Sequence, residues 1–239
     1  RLVEAKKRLP GAGVVGARIY SYENPETVQY NGVHIHFAGK ALVHTSPWDE
    51  PQQVEGITGC MMLVDRPMAA QVGYFDEDFL FGWEDGDFTF RMTLAGFPCY
   101  VCPRAAAYHN DSRRGYRWVA VQVRNRWWFI LKNYNLRTII FILPAVLLYQ
   151  AAALGFFTAK GKLGDYLKGS WYVIKSLPLI RKKRKKVKSY RKLKDKDVLY
   201  GSGRETCGDV EDSGLVRGVA RVMDAGYAVY WALVRRLIK

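Results

Sequence analysis

Residues 139–157, IIFILPAVLLYQAAALGFF, run for nineteen positions with Gln150 as their only strongly polar member. As a helix this run would be about 28 Å long, enough to cross the hydrocarbon core of a bilayer. A second apolar segment at 171–180 leads into RKKRKKVK at 181–188, seven basic residues in eight. A basic block beside apolar segments reads as an anchor for an anionic membrane leaflet.

Charge follows the same division. The chain of 239 residues carries a net +15, yet residues 1–137 hold 16 Lys and Arg against 14 Asp and Glu, leaving +13 for residues 138–239. The reading is therefore two regions: a nearly neutral globular domain at 1–137 and a basic helical tail at 138–239. An apolar content of 49% with 14% aromatics excludes a disordered or fibrous chain. Four cysteines are too few for a disulfide-built scaffold. Residues 1–8 carry four basic residues with no apolar core behind them, unlike a secretory signal.

The last 25 residues predict a basic amphipathic helix. At 100° per residue, Arg217, Arg221, Ala228, Arg235 and Lys239 share one face, and Leu215, Val219, Val222, Tyr230, Leu233 and Leu237 cluster on the opposite one. Such a helix either lies in a membrane interface or packs on the domain.

The first region reads as mixed α/β. Residues 13–20 and 59–64 are β-rich runs too short for helices, 67–72 followed by Gly73 is a short helix with a glycine stop, and 85–95 followed by Gly96 is a longer one. Residues 99–102 return as a strand that Pro103 is expected to close. Only about a dozen residues precede the strand at 14–20, so an α/β sheet would lack most of its strands. The expectation is an N-terminally truncated fragment, or a chain whose N-terminal half is supplied elsewhere.

Chemistry concentrates at 73–91, GYFDEDFLFGWEDGDFTFR, where six carboxylates sit among aromatics. Partial desolvation raises a carboxylate's pKa and can make it a usable general base, although an acidic first helical turn carries the same signature. Asp87 and Arg91 stand four apart in the acid-before-base order of an internal ion pair.

Three segments of this region, VEGITGCMMLVDR, GYFDEDF and WEDGDFTFR, resemble in order the acceptor half of the family 2 glycosyltransferases, the inverting GT-A enzymes that include rhamnosyl- and galactofuranosyl-transferases. The likeness extends to Gly96, Pro103, His109 and RNRWWFILKNY at 124–134, covering roughly residues 10–135. It implies a partial GT-A, Rossmann-like α/β domain followed by apolar and amphipathic basic helices. It further implies that Asp85, the second acid of its Glu-Asp pair, deprotonates an acceptor hydroxyl for attack on a nucleotide sugar. Glu84 would orient the acceptor or the base. Trp83 would offer an aromatic face to a sugar ring or pack in the core. Thr58 and Gly59 would pass beside the donor sugar, and Asp87 would join the substrate-binding residues.

His109 matches a position where related enzymes place a histidine near a metal-bound diphosphate. The implied cofactor is a divalent metal, Mg or Mn, whose Asp-x-Asp ligands are expected outside this chain. Asp85-Gly86-Asp87, Asp76-Glu77-Asp78 and Asp195-Lys196-Asp197 share that spacing by accident, although Asp85 and Asp87 could also be read as the metal motif itself. Cys99 and Cys102 should point to opposite faces of a strand, and His34 and His36 should share an exposed strand face with His44 nearby.

The expected partners are a nucleotide-sugar donor, a lipid-linked or cell-envelope glycan acceptor, and an anionic membrane surface. The expected location is the cytoplasmic face of the cell membrane. Nucleotide sugars and the 181–188 block would both be cytoplasmic, which places both flanks of the apolar run on one side. A single span cannot do that. Pro144 and Gly155 suit a re-entrant or interfacial helix, or a hairpin with the second apolar segment. Two other readings stay open: a non-catalytic fragment that binds glycan and membrane, and a basic nucleic-acid-binding protein, for which the apolar run has no use.

Overall fold

A computed structural model describes residues 1–46, 48–110, 115–202 and 214–238, and it is mixed α/β. Strand β1 (Val14–Ser21) is the axis of the larger sheet. Its early residues are wholly apolar and buried, as a strand covered on both faces requires. One edge of β1 pairs in parallel with β7 (Cys99–His109). Its other edge pairs antiparallel with β6 (Met62–Val64) at Val14 to Gly16 and with β2 (Val28–Tyr30) at Ile19 and Tyr20. β5 (Gln52–Val54) closes the far side of β7, and β3 (Val33–His36) with β4 (Lys40–Val43) forms a separate hairpin.

Pro103 does not close β7. The register jumps from Ala17 opposite Cys102 to Arg18 opposite Ala106, so Pro103 sits in a bulge between two paired stretches. A proline lacks the N–H a ladder needs, and a bulge is where that loss is tolerated. Cys99 and Cys102 do face opposite sides, entering different apolar clusters, and both are free thiols.

Helix α1 (Leu2–Arg8) precedes β1, and two helices follow β6. α2 (Arg66–Val72) starts on Asp65, whose carboxylate accepts the Met68 N–H at 3.1 Å, and stops at Gly73 in the left-handed region, φ 84°. α3 (Glu84–Leu94) buries Phe88, Phe90, Met92 and Leu94. α4 (Val119–Asn133) and α5 (Leu136–Ala159) come next. They are followed by α6 (Leu163–Lys175), α7 (Leu177–Tyr190), the single turn α8 (Asp195–Val198) and α9 (Gly214–Val234). α4 and α6 approach so closely that a Cβ at Gly169 would lie 2.5 Å from the Ala120 carbonyl oxygen.

The helices after residue 137 are not an appendage. Phe37 stacks on Trp231 of α9 with ring centroids 5.0 Å apart, Lys40 reaches Asp224 at 2.8 Å, and Lys183 of α7 pairs with Asp76 and Asp78. The 1–137 region and the helices behind it share one core.

α9 also turns a different face inward than its wheel predicts. Tyr227, Trp231, Val234 and Ile238 are buried, whereas Val222, Leu233 and Leu237 of the expected apolar face are exposed. The wheel finds the larger apolar arc, but the hairpin β3–β4 and α5 select the aromatic one, which fills the gap around Phe37. Leu215, Arg217, Val219, Arg221 and Lys239 of the same wheel lie outside the described side chains.

Candidate functional site

The site is built at the start of α3. Trp83 caps this helix in the left-handed region, φ 74°, a conformation that costs a bulky residue energy unless its surroundings hold it. What holds it is α4. The Asn125 side-chain amide donates to the carbonyl oxygens of Phe79, Phe81 and Gly82 at 2.9, 2.9 and 2.6 Å, and Arg124 donates to those of Asp78 and Phe79 at 3.0 and 2.8 Å. The Trp83 ring packs on Phe129, 4.6 Å between centroids, so part of it is core and the rest is open.

Asp85 follows one turn into the corner. Its Oδ2 accepts the Gly59 N–H at 2.7 Å and its Oδ1 the Gly86 N–H at 2.6 Å. A second latch lies beneath, where Thr89 Oγ1 donates to the Asp85 carbonyl at 2.8 Å and accepts the Ile57 N–H at 3.2 Å. Segment 57–59 is thereby strapped across the first turn of α3. A Cβ on Gly59 would meet the Asp85 Cβ at 3.5 Å, ordinary contact distance. Thr58 Oγ1 accepts the Cys60 N–H at 3.4 Å and is half-buried, while Gly59 is exposed. Of the expected residues, Gly59 and Asp85 are thus brought together by a direct hydrogen bond, with Thr58, Trp83 and Glu84 half-buried beside them in the chain.

Asp87 departs from the substrate-binding expectation. It is fully buried, and its oxygens accept Arg91 Nε at 2.7 Å, Lys132 Nζ at 2.7 Å and the Asn133 amide at 2.8 Å. The ion pair with Arg91 is the role that the spacing gives it. Burial pushes this carboxyl up, but Arg91 and Lys132 outweigh it and hold the group below the usual carboxylate range. Lys132 also reaches Asp76 at 2.6 Å. Burial likewise raises Asp76, and Lys132 and Lys183 bring it down to about 2. The network ties α2, α3, α4 and α7 together. It borders a cavity of about 290 Å³ lined by Asp76, Arg91, Lys132, Lys183, Lys186 and Tyr190, to which Asp85 does not contribute.

His109 ends β7 beside Ser21 of β1, and its Nδ1 lies 3.2 Å from Gln29 Oε1. Among the described residues no three His, Cys, Asp or Glu side chains converge as metal ligands. His109 alone does not make a metal site.

The other histidines are not an exposed face. His34 Nδ1 lies 2.5 Å from Glu55 and its ring stacks on Tyr200 at 4.3 Å. His36 is fully buried between the Gly201 carbonyl and the Ala38 N–H, and burial together with nearby Lys40 lowers its pKa to about 3. Tyr200 and Gly201 bridge back to this hairpin, Gly201 from 165 residues downstream of His36, which the local alternation could not reveal. Cys99 is pushed up to about 12 by burial, which leaves it an inert thiol.

Sequence reasoning had no role for Asn125, Lys132 or Asn133. The available signal was periodic: they stand at i, i+7 and i+8 along α4, polar residues on a buried helical face. The chain matches no protein-family model and no curated protein sequence.

Proposed function

We propose that this protein is an inverting glycosyltransferase of the GT-A, family 2 type in which Asp85 is the general base. The observation that carries the reading is the half-buried Asp85 carboxylate, held by the Gly59 and Gly86 backbone N–H donors beside Thr58, Trp83 and Glu84. Each of its oxygens accepts one hydrogen bond, so each keeps a lone pair for a proton.

In this reaction an acceptor hydroxyl gives its proton to Asp85 as its oxygen bonds to the anomeric carbon of a nucleotide sugar. The bond to the nucleoside diphosphate breaks on the opposite face and inverts the configuration. A sugar hydroxyl is a weak nucleophile, so a fixed carboxylate within hydrogen-bond reach contributes about 10²- to 10⁴-fold. Glu84 orients the acceptor, the open part of Trp83 offers a sugar ring an apolar face, and Thr58 with Gly59 lines the donor side. A divalent cation, Mg or Mn, would draw its Asp-x-Asp ligands from outside the residues of this site, with His109 near the diphosphate.

The acceptor is a lipid-linked or cell-envelope glycan met at the cytoplasmic face of the membrane. Support comes from α5, which is long and apolar enough to cross a bilayer, and from the basic α7 near it in the chain. Asp85→Asn tests the reading. The near-isosteric amide has one acceptor oxygen where the carboxylate has two, so it keeps one of the two backbone hydrogen bonds, and it cannot take the proton; transfer should be lost while donor binding persists. A variant that binds glycan normally while the wild type shows no transfer would favour a non-catalytic glycan-binding protein instead.

A further inference from the structure

We infer that α5 lies in the plane of an anionic bilayer surface and does not cross it, with α6 and α9 completing the docking face. This deepens the membrane half of the proposed function and is independent of the chemistry at Asp85.

A spanning helix needs lipid or other spanning segments around it along its length. α5 instead buries one side of its first half in the shared core, and it contacts α6 and α9. Thr138, Ile142, Ala145 and Val146 are buried in the shared core. Tyr230 and Tyr227 of α9 donate to the carbonyl oxygens of Phe141 and Ala145 at 2.5 and 3.2 Å. The buried Arg126 guanidinium lies 3.7 Å from the centre of the Tyr149 ring, Tyr166 reaches Gln150, and Phe157 packs on Tyr166 beyond it. A charged residue and a folded domain thus accompany the helix through its middle, where a bilayer would have its hydrocarbon centre.

The opposite side of α5 is an unbroken exposed aliphatic stripe: Leu136, Ile140, Leu143, Leu147 and Leu154 fall within about 40° of one another's mean direction. α6 repeats the pattern with Leu163, Leu167, Trp171 and Ile174, and α9 with Val222, Val229, Leu233 and Leu237. α5 contacts both of these helices.

Charge identifies the occupant. Residues 136–190 hold twelve Lys and Arg against one acid, Asp165. Several bases lean over the aromatics at the edge of the apolar stripes: Lys160 on Phe156 at 5.8 Å, Lys175 on Trp171 at 5.5 Å and Lys168 on Tyr172 at 5.9 Å. Apolar stem inward and charged head at the rim is how Lys meets a headgroup layer. A second copy would bring the same positive charge against itself, and nucleic acid offers nothing to aliphatic stripes.

The test is cosedimentation of the full chain with vesicles of phosphatidylcholine alone or mixed with phosphatidylglycerol. Wild-type protein should prefer the anionic vesicles by at least about tenfold and be released by alkaline carbonate, as interfacial proteins are. Leu147→Glu with Leu167→Glu, both exposed, should weaken binding by about tenfold or more, with an unchanged circular dichroism spectrum. Lys182→Glu with Lys185→Glu should remove the anionic preference. Resistance to carbonate extraction would establish a span and overturn the inference. So would equal binding to neutral vesicles, insensitivity to the leucine changes, or a dimer that ignores vesicles. Asp85→Asn separates this inference from the proposed chemistry, since it should bind anionic vesicles as the wild type does.

Discussion

Asp85 and Asp87 lie in the same turn of α3, and the structure treats them in opposite ways. Asp87 is enclosed by Arg91, Lys132 and Asn133 with no exposed surface, and it joins α3 to α4. Asp85 receives two backbone N–H groups, is half-buried, and pairs with no cation among the described residues. A carboxylate whose acceptor capacity is consumed by cations is an architectural part, whereas one that is aimed and left with spare lone pairs can do chemistry. The two aspartates stand two positions apart, so the difference lies in what meets each: Arg91 one turn on and α4 enclose Asp87, and segment 57–59 meets Asp85.

The sharpest way to break this contrast is to neutralise Asp87. Asp87→Asn leaves Arg91 and Lys132 without their shared counterion in a buried setting and should cost about 3–5 kcal/mol, read as a lower urea midpoint. Should stability stay within about 1 kcal/mol of wild type, the network is not what binds the helices together.

His36 gives a smaller effect with a defined pH window. Its pKa is about 3 when folded against an ordinary 6.5, so below pH 6.5 the unfolded chain takes up a proton that the folded chain refuses. Stability from this group is complete above pH 6.5 and falls on acidification, by roughly 2–3 kcal/mol by pH 4. Denaturant titrations across this range should show the decline in wild type and a flatter profile in His36→Gln.

Asn125→Ala withdraws the donor shared by three carbonyl oxygens of the turn before Trp83 and should cost about 2 kcal/mol. Hydrogen exchange should show faster opening of residues 79–85, with α2 and the sheet unaffected. The smallest effect belongs to Gly59→Ala. The added methyl meets Asp85 at ordinary contact distance, so thermal unfolding should place its stability within about 0.5 kcal/mol of wild type.

Much of this was legible in local pattern. The strand at 14–20, the helix stopped by Gly73, the helix at 85–95, the Asp87–Arg91 pair and the opposed cysteines all depend on neighbours a few residues away, and all are present. What failed depended on distant partners. Pro103 passes through a bulge because β1 supplies pairing on both sides of it. The strand at 59–64 shortens to β6 because residues 57–59 are held by α3. α9 buries its aromatic arc because Phe37, almost two hundred residues earlier, leaves a space of that shape. The site showed the same division: Glu84 and Asp85 could be read from their motif, but the α4 residues that fix their corner could not.

The account rests most heavily on Asp85 being the base. Paired measurements on the full-length protein and on Asp85→Asn, of sugar transfer and of nucleotide-sugar binding, address that directly. The account predicts that the variant loses about 10²- to 10⁴-fold in transfer while donor binding stays at the wild-type level. Wild-type transfer by Asp85→Asn would contradict it.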